Sequence, residues 1–211
     1  MNGGEMMADI WKILTAGGPI MFILIALSAL SLTLILVKIV QLWPATGGVA
    51  ARNAALDHWA TGDVAGAMAM VPQKSPADRV LLAGMENLQS GLTPALLEGD
   101  LARRGNDEVS TLSSGLRLLD LISMISPLLG LLGTVLGMVQ SLQDLALAQG
   151  SANASVLAGG IWLALLTTAA GLFVAIPAAI GSSLLSGRVE TAALRIESAA
   201  GRLITLSSLA R

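Results

Sequence analysis

Residues 164–177 read Ala-Leu-Leu-Thr-Thr-Ala-Ala-Gly-Leu-Phe-Val-Ala-Ile-Pro, and they lie within a longer stretch, residues 145–187, that carries no formal charge. A bilayer is crossed by about 20 apolar residues, which span its ~30 Å of hydrocarbon. Two adjacent threonines, Thr167 and Thr168, lie deep inside the stretch. A hydroxyl group in lipid is costly unless it has a partner or faces water. The pattern therefore predicts a membrane helix that packs in a bundle beside an ion path.

The composition indicates a membrane protein and argues against several other classes. Of the 211 residues 54% are hydrophobic and 12% are charged, whereas a soluble domain carries about 25% charged residues. The net charge of -2 and the scarcity of aromatic residues do not favour nucleic-acid binding. The chain has no cysteine and one histidine, His58, so we expect no disulfide, no metal site and no cofactor.

Three apolar stretches predict an all-α membrane protein with three transmembrane helices, a helical cytoplasmic loop and a helical C-terminal tail. We expect the first apolar run to be a retained membrane helix, since Glu5 and Asp9 precede it and a cleaved signal peptide begins with positive charge. Lys38, near the end of this run, is expected to snorkel to the membrane interface. The predicted order is periplasmic N-terminus 1–18, transmembrane helix 19–43, cytoplasmic loop 44–118, transmembrane helix 119–145, periplasmic connection 146–157, transmembrane helix 158–186 and cytoplasmic amphipathic tail 187–211.

The lysines and arginines predict the orientation of these helices. Six lie in 44–118 and four in the C-terminal tail, whereas the N-terminal segment has only Lys12 and the connection at 146–157 has none. Cytoplasmic segments of membrane proteins are enriched in Lys and Arg. We therefore expect a periplasmic N-terminus and a cytoplasmic C-terminus in a bacterial inner membrane.

The predicted cytoplasmic segments have helical patterns. Short helices are expected at 51–60, 63–70 and 77–89, and one long helix is expected to run from Pro94 into the second span, interrupted or softened at Gly99 and Gly105. In the tail, Arg188, Arg195 and Arg202 recur every seven residues, and Glu190 and Glu197 share that interval. The third span is therefore predicted to continue as an amphipathic helix.

Small residues in the second and third spans predict close helix packing. Gly133 and Gly137 form a GxxxG pattern, which lets two backbones approach in a membrane. Packing alone explains each small residue, and Thr134 can bond to a carbonyl of its own helix. Opposed hydroxyls on two spans nevertheless favour a polar channel. The predicted packing residues are Pro127, Gly130, Gly133, Gly137, Gly160, Ala164, Gly171, Ala175 and Pro177.

Two motifs resemble the MotA/TolQ/ExbB family of ion-driven motor subunits, namely Pro-Leu-Leu-Gly-Leu-Leu-Gly-Thr-Val-Leu-Gly at 127–137 and Gly-Ile-Trp-Leu-Ala-Leu-Leu-Thr-Thr-Ala-Ala-Gly at 160–171. The three-span layout is closer to the ExbB and TolQ branch than to MotA-like members, which have four spans. The resemblance implies a homo-pentamer around a dimer of single-span ExbD- or TolR-like partners, with a transducer of the TonB or TolA type. Each partner brings a membrane aspartate as the proton carrier, and Thr134 and Thr168, with Thr167 second, are the expected ion-pathway residues.

The chain departs from this family pattern at Leu163, where ExbB and TolQ proteins usually carry a glutamate. A leucine neither hydrates a pore nor exchanges protons, so the partner's aspartate becomes the one obvious carrier. The primary prediction is a channel-forming subunit that converts proton motive force into mechanical work on the cell envelope. A non-conducting or sodium-coupled scaffold of the same architecture remains the alternative. No His, Cys or paired Asp lies in a predicted span, so we expect no intramembrane enzyme.

Overall fold

A computed structural model describes residues 18–147 and 154–209, and this part of the chain is helical. Within residues 18–147 the elements are connected by short turns. They are α1 (Gly18–Leu42), a 3₁₀ helix (Pro44–Thr46), α2 (Val49–Ala60), α3 (Val64–Met70), α4 (Pro76–Gln89), α5 (Pro94–Ser113), α6 (Leu116–Leu147) and α7 (Ala154–Leu209).

Three helical stretches are long and apolar enough to cross a membrane, and they lie within Gly18–Ala60, Ala95–Ala146 and Ala158–Leu209. The predicted all-α fold class with three spans is therefore confirmed. The predicted N-terminal segment, apart from Gly18, and half of the 146–157 connection, residues 148–153, lie outside the described residues.

The chain divides into two compact units, of which the first contains most of each predicted span. Among its described residues it comprises α1 to Leu36, α6 from Arg117 and α7 to Ser182. The inner faces of these helices bury residues such as Leu24, Ile122 and Ala178. Large apolar side chains also point outward, including Phe173 at 77% exposure. Such a surface suits lipid or neighbouring membrane helices, because water would oppose its exposure.

The second unit comprises residues 37–116 and the segment of α7 from Ser183 onwards. Its core brings apolar residues of α2 to α5 against the last turns of α7. Gly84 in α4 allows a close approach, because a Cβ built there would lie 2.7 Å from a methyl carbon of Leu203. The core residues include Leu56, Val80, Leu81, Met85, Leu97, Leu101, Ile196 and Leu203.

A buried ion pair anchors the start of α4 in this second unit. Arg52 Nη1 donates to Asp78 Oδ1 over 2.6 Å, and the two side chains are 4% and 1% exposed. Asp78 Oδ2 also accepts from the backbone N–H of Ser75 over 2.9 Å, while the Ser75 hydroxyl caps α4. Charges at this depth need both a counter-charge and hydrogen bonds. Arg52 meets these needs by donating also to the Gly47 carbonyl and the Ser75 hydroxyl, each over 2.8 Å.

The prediction that Lys38 snorkels to a membrane interface is wrong. Its side chain is buried, and Nζ donates to Gln41 Oε1 over 2.8 Å and to the carbonyl of Leu112 over 3.0 Å. The Thr111 carbonyl and the Ser114 hydroxyl are at 3.5 and 3.3 Å. The ammonium group therefore lies at the C-terminus of α5, where exposed carbonyls favour a positive charge.

The predicted continuous helix from Pro94 into the second span is also wrong, because a turn separates α5 from α6. Gly115 has φ +79, a left-handed conformation that glycine adopts at little cost. Gly99 and Gly105, the expected points of interruption, lie inside the unbroken α5. Gly105 is packed in the unit, since a Cβ there would lie 3.1 Å from Ile196 Cγ2.

The predicted amphipathic continuation of the third span agrees with α7, which is one helix from Ala154 to Leu209. Its last segment buries Ile196 and Leu203 in the second unit and exposes Arg188. Arg202 donates to Asn53 Oδ1 over 2.6 Å and to Asp57 Oδ1 over 3.2 Å. The tail is thus a structural part of the second unit.

Candidate ion pathway and helix seam

The glycines of α6 lie against α7 and form an antiparallel contact that we call the α6–α7 seam. A Cβ built at Gly130 would lie 2.9 Å from the Thr167 carbonyl oxygen, and one at Gly133 would lie 2.7 Å from Thr167 Cβ. At Gly137 the corresponding distance to Ala164 Cβ is 3.3 Å. Carbon atoms usually stay about 3.5 Å or more apart, so side chains at the first two positions would force the helices apart.

Glycines of α7 contribute to the same seam. A Cβ built at Gly171 would lie 2.5 Å from the Ser126 carbonyl oxygen and 3.1 Å from Gly130 Cα, and one at Gly160 would overlap the Ser141 side chain. Ser141 donates to the Gly137 carbonyl over 2.8 Å, which satisfies its hydroxyl. Close backbone approach of this kind is typical of small-xxx-small packing in membranes.

Two adjacent threonines of α7 share one acceptor on α6. Thr167 Oγ1 lies 3.3 Å from the Gly130 carbonyl oxygen, and Thr168 Oγ1 lies 3.2 Å from the same atom. Thr167 also donates to the Ala164 carbonyl over 2.7 Å and is 2% exposed. Thr168 is partly exposed at the edge of the seam. The absence of a Cβ at Gly130 is what allows both hydroxyls to reach its carbonyl.

The third predicted pathway residue, Thr134, is on α6 one turn beyond Gly130. Its hydroxyl donates to the Leu131 carbonyl over 2.6 Å, within its own helix, and its side chain is partly exposed. At 100° per residue, the antiparallel pairing of the seam puts Thr134 on the same side as Thr168. The two partly exposed hydroxyls therefore border one surface, whereas Thr167 is enclosed between the helices.

The remaining predicted packing residues occupy different environments. Ala164 and Ala175 are buried at 3% and 5% exposure. Pro127 is partly buried and Pro177 is exposed, and each lies inside an unbroken helix. A proline removes one helical N–H and leaves the carbonyl four residues earlier without that partner.

Leu163, at the position of the family glutamate, lies one turn before Thr167 and is partly buried. Asp120 and Asp144 lie at the two ends of the second predicted span, and their side chains are exposed. Asp144 Oδ1 accepts from Gln140 Nε2 over 3.0 Å. Within residues 18–147 and 154–209, no group of three His, Cys, Asp or Glu side chains is placed to hold a metal ion.

Two buried serines belong to the seam and were not singled out from the sequence. Ser126 is fully buried and donates to the Ile122 carbonyl over 2.7 Å, and Ser141 is 4% exposed. Each uses its hydroxyl inside its own helix, so each acts as a small residue in packing. Their spacing from the glycines, four residues before Gly130 and four after Gly137, is the sequence signal that would have found them.

The carboxylates with lowered pKa lie in the second unit and not beside the threonines. Hydrogen bonds from Arg104 and Arg103 lower the pKa of Asp100, since they stabilise its charged form. The backbone N–H of Gly66 and the side chain of His58 lower the pKa of Asp63 at the start of α3. These shifts come from helix caps and surface ion pairs, and they do not indicate a catalytic centre.

The part of the chain that contains the seam is also the part that matches known proteins. The sequence profile of the MotA/TolQ/ExbB proton channel family matches residues 72–198. The chain is 57% identical over 74 residues to the biopolymer transport protein exbB1 of Vibrio cholerae, 37% over 126 residues to the Tol-Pal system protein TolQ of Pseudomonas aeruginosa, and 38% over 114 residues to a putative biopolymer transport protein, ExbB-like 3, of Synechocystis.

These alignments cover parts of the proteins. They span 35%, 55% and 53% of this chain, and 32%, 54% and 53% of the Vibrio, Pseudomonas and Synechocystis relatives. The chain thus spans between about a third and a half of their lengths. The family profile, however, covers more than half of the 211 residues and includes both motifs of the seam. Together with the three candidate spans and the glycine seam, this match shows that the chain belongs to the MotA/TolQ/ExbB proton channel family, a family of channels and not of enzymes.

Proposed function

We propose that this protein is the channel-forming subunit of an ion-driven motor in the bacterial inner membrane. Proton motive force would drive the motor, and the work would act on the cell envelope in biopolymer transport or envelope energisation. The single observation that carries the proposal is the pair of threonine hydroxyls on the Gly130 carbonyl, with Thr134 on the same side of the seam. The Thr134 and Thr168 oxygen atoms provide a polar strip on helices whose other exposed side chains are largely apolar.

The proposed mechanism needs a partner that brings a carboxylate into the membrane. A carboxylate in a low-dielectric site holds charge only with hydrogen bonds or water. Thr134 and Thr168 would flank it and accept a hydrogen bond from its protonated form or from the water that solvates its charged form, and Thr167 would hold the two helices together. We propose a homo-oligomer, a pentamer by family resemblance, around a dimer of single-span ExbD- or TolR-like proteins that bear a membrane aspartate. A TonB- or TolA-like transducer would carry the work outward.

The proposed orientation has the N-terminus in the periplasm and the second unit in the cytoplasm. The distribution of lysines and arginines supports it, since those of the 44–118 segment and of the α7 tail fall in the second unit with few exceptions. The proposed boundaries of the spans remain 19–43, 119–145 and 158–186. Helices α1, α6 and α7 each contain one of these ranges to within a residue or two.

The alternative is a scaffold of the same architecture that conducts nothing or is coupled to sodium. Leu163 is the observation that favours it, because the family glutamate would add a protonatable group one turn from Thr167. The proton-driven proposal relies instead on the partner's aspartate. Ion flux from reconstituted complexes of this chain and its partner separates the possibilities. Flux that follows a pH gradient supports the proposal, flux that requires sodium supports the sodium motor, and absence of flux supports the scaffold.

The central test is Thr168→Val, which keeps the shape of the side chain and removes its hydroxyl. Loss of one neutral hydrogen bond costs about 1 kcal/mol, so the complex should still assemble. Proton flux should fall to background. The matched control is Thr33→Val, because the Thr33 hydroxyl is exposed on α1 and donates to the Ala29 carbonyl in the same helix. Normal flux in Thr168→Val would refute the assignment of this residue to the pathway.

Leu163→Glu tests the position of the family glutamate, one turn before Thr167 on α7. A glutamate that faces water or the pathway should be tolerated and should leave assembly intact. If Leu163 packs against another subunit or lipid, burial of a carboxylate is costly and assembly should fail. The amount of complex recovered from membranes distinguishes these results, and Leu165→Glu on the exposed side of α7 provides the comparison.

A further inference from the structure

One carboxylate of the first unit, that of Asp120, stands nearly in line with Thr134 on α6. The two residues are fourteen positions apart, which is four helical turns less about 40°. Asp120 therefore lies about 21 Å from Thr134 along the helix axis and on nearly the same face. Its side chain is exposed. In the proposed orientation it marks the cytoplasmic end of the second span.

Contacts with α7 show that the faces of α6 keep their direction over this distance. Leu119 and Gly133 are also fourteen residues apart, and both lie against α7. A Cβ built at Gly181 of α7 would lie 3.6 Å from Leu119 Cδ2, and one built at Gly133 would lie 2.7 Å from Thr167 Cβ. The face of α6 that meets α7 is therefore the same at both ends, although Pro127 lies between them.

Each of these two contact residues is followed by a polar residue. Asp120 follows Leu119, and Thr134 follows Gly133. One residue turns the helix by about 100°, and the turn has the same sense in both places. Asp120 is therefore on the side of the α6–α7 seam on which Thr134 and Thr168 lie.

Helix α1 packs on the opposite side of the seam. Ala170 of α7 is about 200° around the helix from Thr168, and it lines an apolar groove together with Leu24 of α1. In the part of the chain that the structure describes, α1 thus leaves the side with Thr134 and Thr168 open. A membrane partner placed on that side would have Asp120 at its cytoplasmic end.

The polar surface around Thr134 extends towards Asp120 and not towards the other end of the span. Ser123, one turn after Asp120 on the same face, donates its hydroxyl to the Asp120 carbonyl over 2.6 Å. In the other direction the face continues with Met138 and Leu142, which are exposed and apolar. Helix capping does not account for Asp120, because it is the fifth residue of α6 and the free N–H groups belong to the first four.

We propose that Asp120 is the cation-selecting residue at the cytoplasmic mouth of the ion path. This inference rests on the proposed function, in which copies of the chain surround a partner that brings a carboxylate into the membrane. Each copy contributes one Asp120, and carboxylates at a pore mouth raise the local concentration of cations and lower that of anions. Asp120 acts through its charge at the mouth, whereas Thr134 and Thr168 act through hydrogen bonds deeper in the membrane.

The test is cation flux through the complex of this chain and its partner, purified from native membranes and reconstituted in liposomes. Asp120→Asn keeps the shape of the side chain and removes its charge. Its flux should be several-fold below the wild-type flux at about 0.01 M choline chloride and equal to it at about 1 M, because the Debye length falls from about 30 Å to about 3 Å. A purely structural role of Asp120 would give a deficit that salt does not remove.

The matched control is Asp144→Asn. Asp144 is an exposed carboxylate on the same helix, but it follows Gly133 by eleven residues and is thus within about 20° of the seam direction. Its side chain also accepts a hydrogen bond from Gln140. We expect Asp144→Asn to leave both the flux and its salt dependence unchanged.

Moving the carboxylate tests the importance of the face on which it stands. In the Asp120→Asn background, Ser123→Asp returns a charge to the same face and should restore much of the flux at low salt. Leu121→Asp puts the charge about 100° from Asp120 and away from the seam, and it should restore none. Leu121 is 49% exposed, so the new carboxylate is not buried within the chain.

Four results would overturn the inference. They are wild-type flux in Asp120→Asn at low salt, a deficit that persists at high salt, an equal loss in Asp144→Asn, and equal restoration by Ser123→Asp and Leu121→Asp. A wild-type complex that conducts no cation refutes the proposed channel itself. A conducting wild-type complex together with any of the four results refutes the role of Asp120 alone.

Discussion

A graded series of Gly→Ala substitutions tests whether the seam sets the distance between α6 and α7. At Gly133 the new methyl group would lie 2.7 Å from Thr167 Cβ, whereas carbon atoms rest at about 3.5–4.0 Å, so the helices must separate by about 1 Å. The Thr167 and Thr168 bonds to the Gly130 carbonyl, now 3.3 and 3.2 Å, would then exceed hydrogen-bonding distance.

Three energy terms determine how far Gly133→Ala should change the stability of the first unit. Overpacking costs about 1–3 kcal/mol, and each hydrogen bond contributes about 1 kcal/mol. Alanine returns at most about 1 kcal/mol through helix propensity. We therefore expect Gly133→Ala to destabilise the first unit by roughly 2–4 kcal/mol. Gly137→Ala, whose methyl group would be 3.3 Å from Ala164 Cβ, should be close to neutral. Gly159→Ala meets nothing within 4 Å and should be neutral or slightly stabilising.

The assay is SDS-induced unfolding in mixed micelles, followed by tryptophan fluorescence. Trp162 lies on α7 in the first unit and is 70% exposed, so it reports on the seam helix once the chain's three other tryptophans are replaced by phenylalanine. We expect the unfolding midpoint to fall in the order Gly159→Ala, Gly137→Ala, Gly133→Ala. If Gly133→Ala unfolds at the same SDS fraction as Gly159→Ala, the seam does not limit the approach of the helices.

Three further predictions concern the second unit. Lys38→Met removes the ammonium group from the C-terminus of α5, where a hydrogen bond to a charged group contributes about 1.5–3 kcal/mol to stability. Amide hydrogen exchange in the last turn of α5 should therefore accelerate. An unchanged exchange rate would argue against a capping role of Lys38. Asp78→Asn leaves the Arg52 guanidinium buried without a counter-charge and should lower the free energy of unfolding, measured by thermal unfolding, by about 3–5 kcal/mol. Adding Arg52→Met should recover part of this stability. A double variant no more stable than Asp78→Asn would contradict this role of the ion pair. Arg104 and Arg103 lower the pKa of Asp100, so the stability that Asp100 contributes is present above its unfolded pKa, near 3.8, and is lost as pH falls through its lower folded pKa. Asp100→Asn should therefore flatten the acid limb of the curve of Tm against pH. An unaltered acid limb would show that the ion pairs of Asp100 with Arg104 and Arg103 contribute nothing to stability.

Much of the seam could be predicted from the sequence because it is built from local patterns. Small residues at four-residue spacing indicate the face on which a membrane helix packs, and Gly130, Gly133 and Gly171 lie on that face. The identity of the acceptor shared by Thr167 and Thr168 could not be predicted. It depends on the register between α6 and α7, which a one-residue slide would change.

Lys38 and the break before α6 illustrate what local reasoning misses. Apart from Gln41, the acceptors of Lys38 come from residues more than 70 positions later, so the sequence of the first apolar run gives no sign that Lys38 is buried. Gly105 reads as a helix breaker, yet α5 continues through it because the position is packed against Ile196. Gly115 ends the helical path because its φ is positive and a buried lysine satisfies the last carbonyls of α5.

The hydrogen bonds of Thr134 and Thr168, the two partly exposed threonines, also determine which ions their oxygen atoms could solvate. A hydroxyl has one proton to donate and two lone pairs that accept. Thr168 directs its proton to the Gly130 carbonyl, and Thr134 directs its proton to the Leu131 carbonyl. What each oxygen turns outward is lone-pair density. A surface of this kind solvates cations and hydronium, repels chloride, and accepts a hydrogen bond from a carboxyl group only while that group holds its proton.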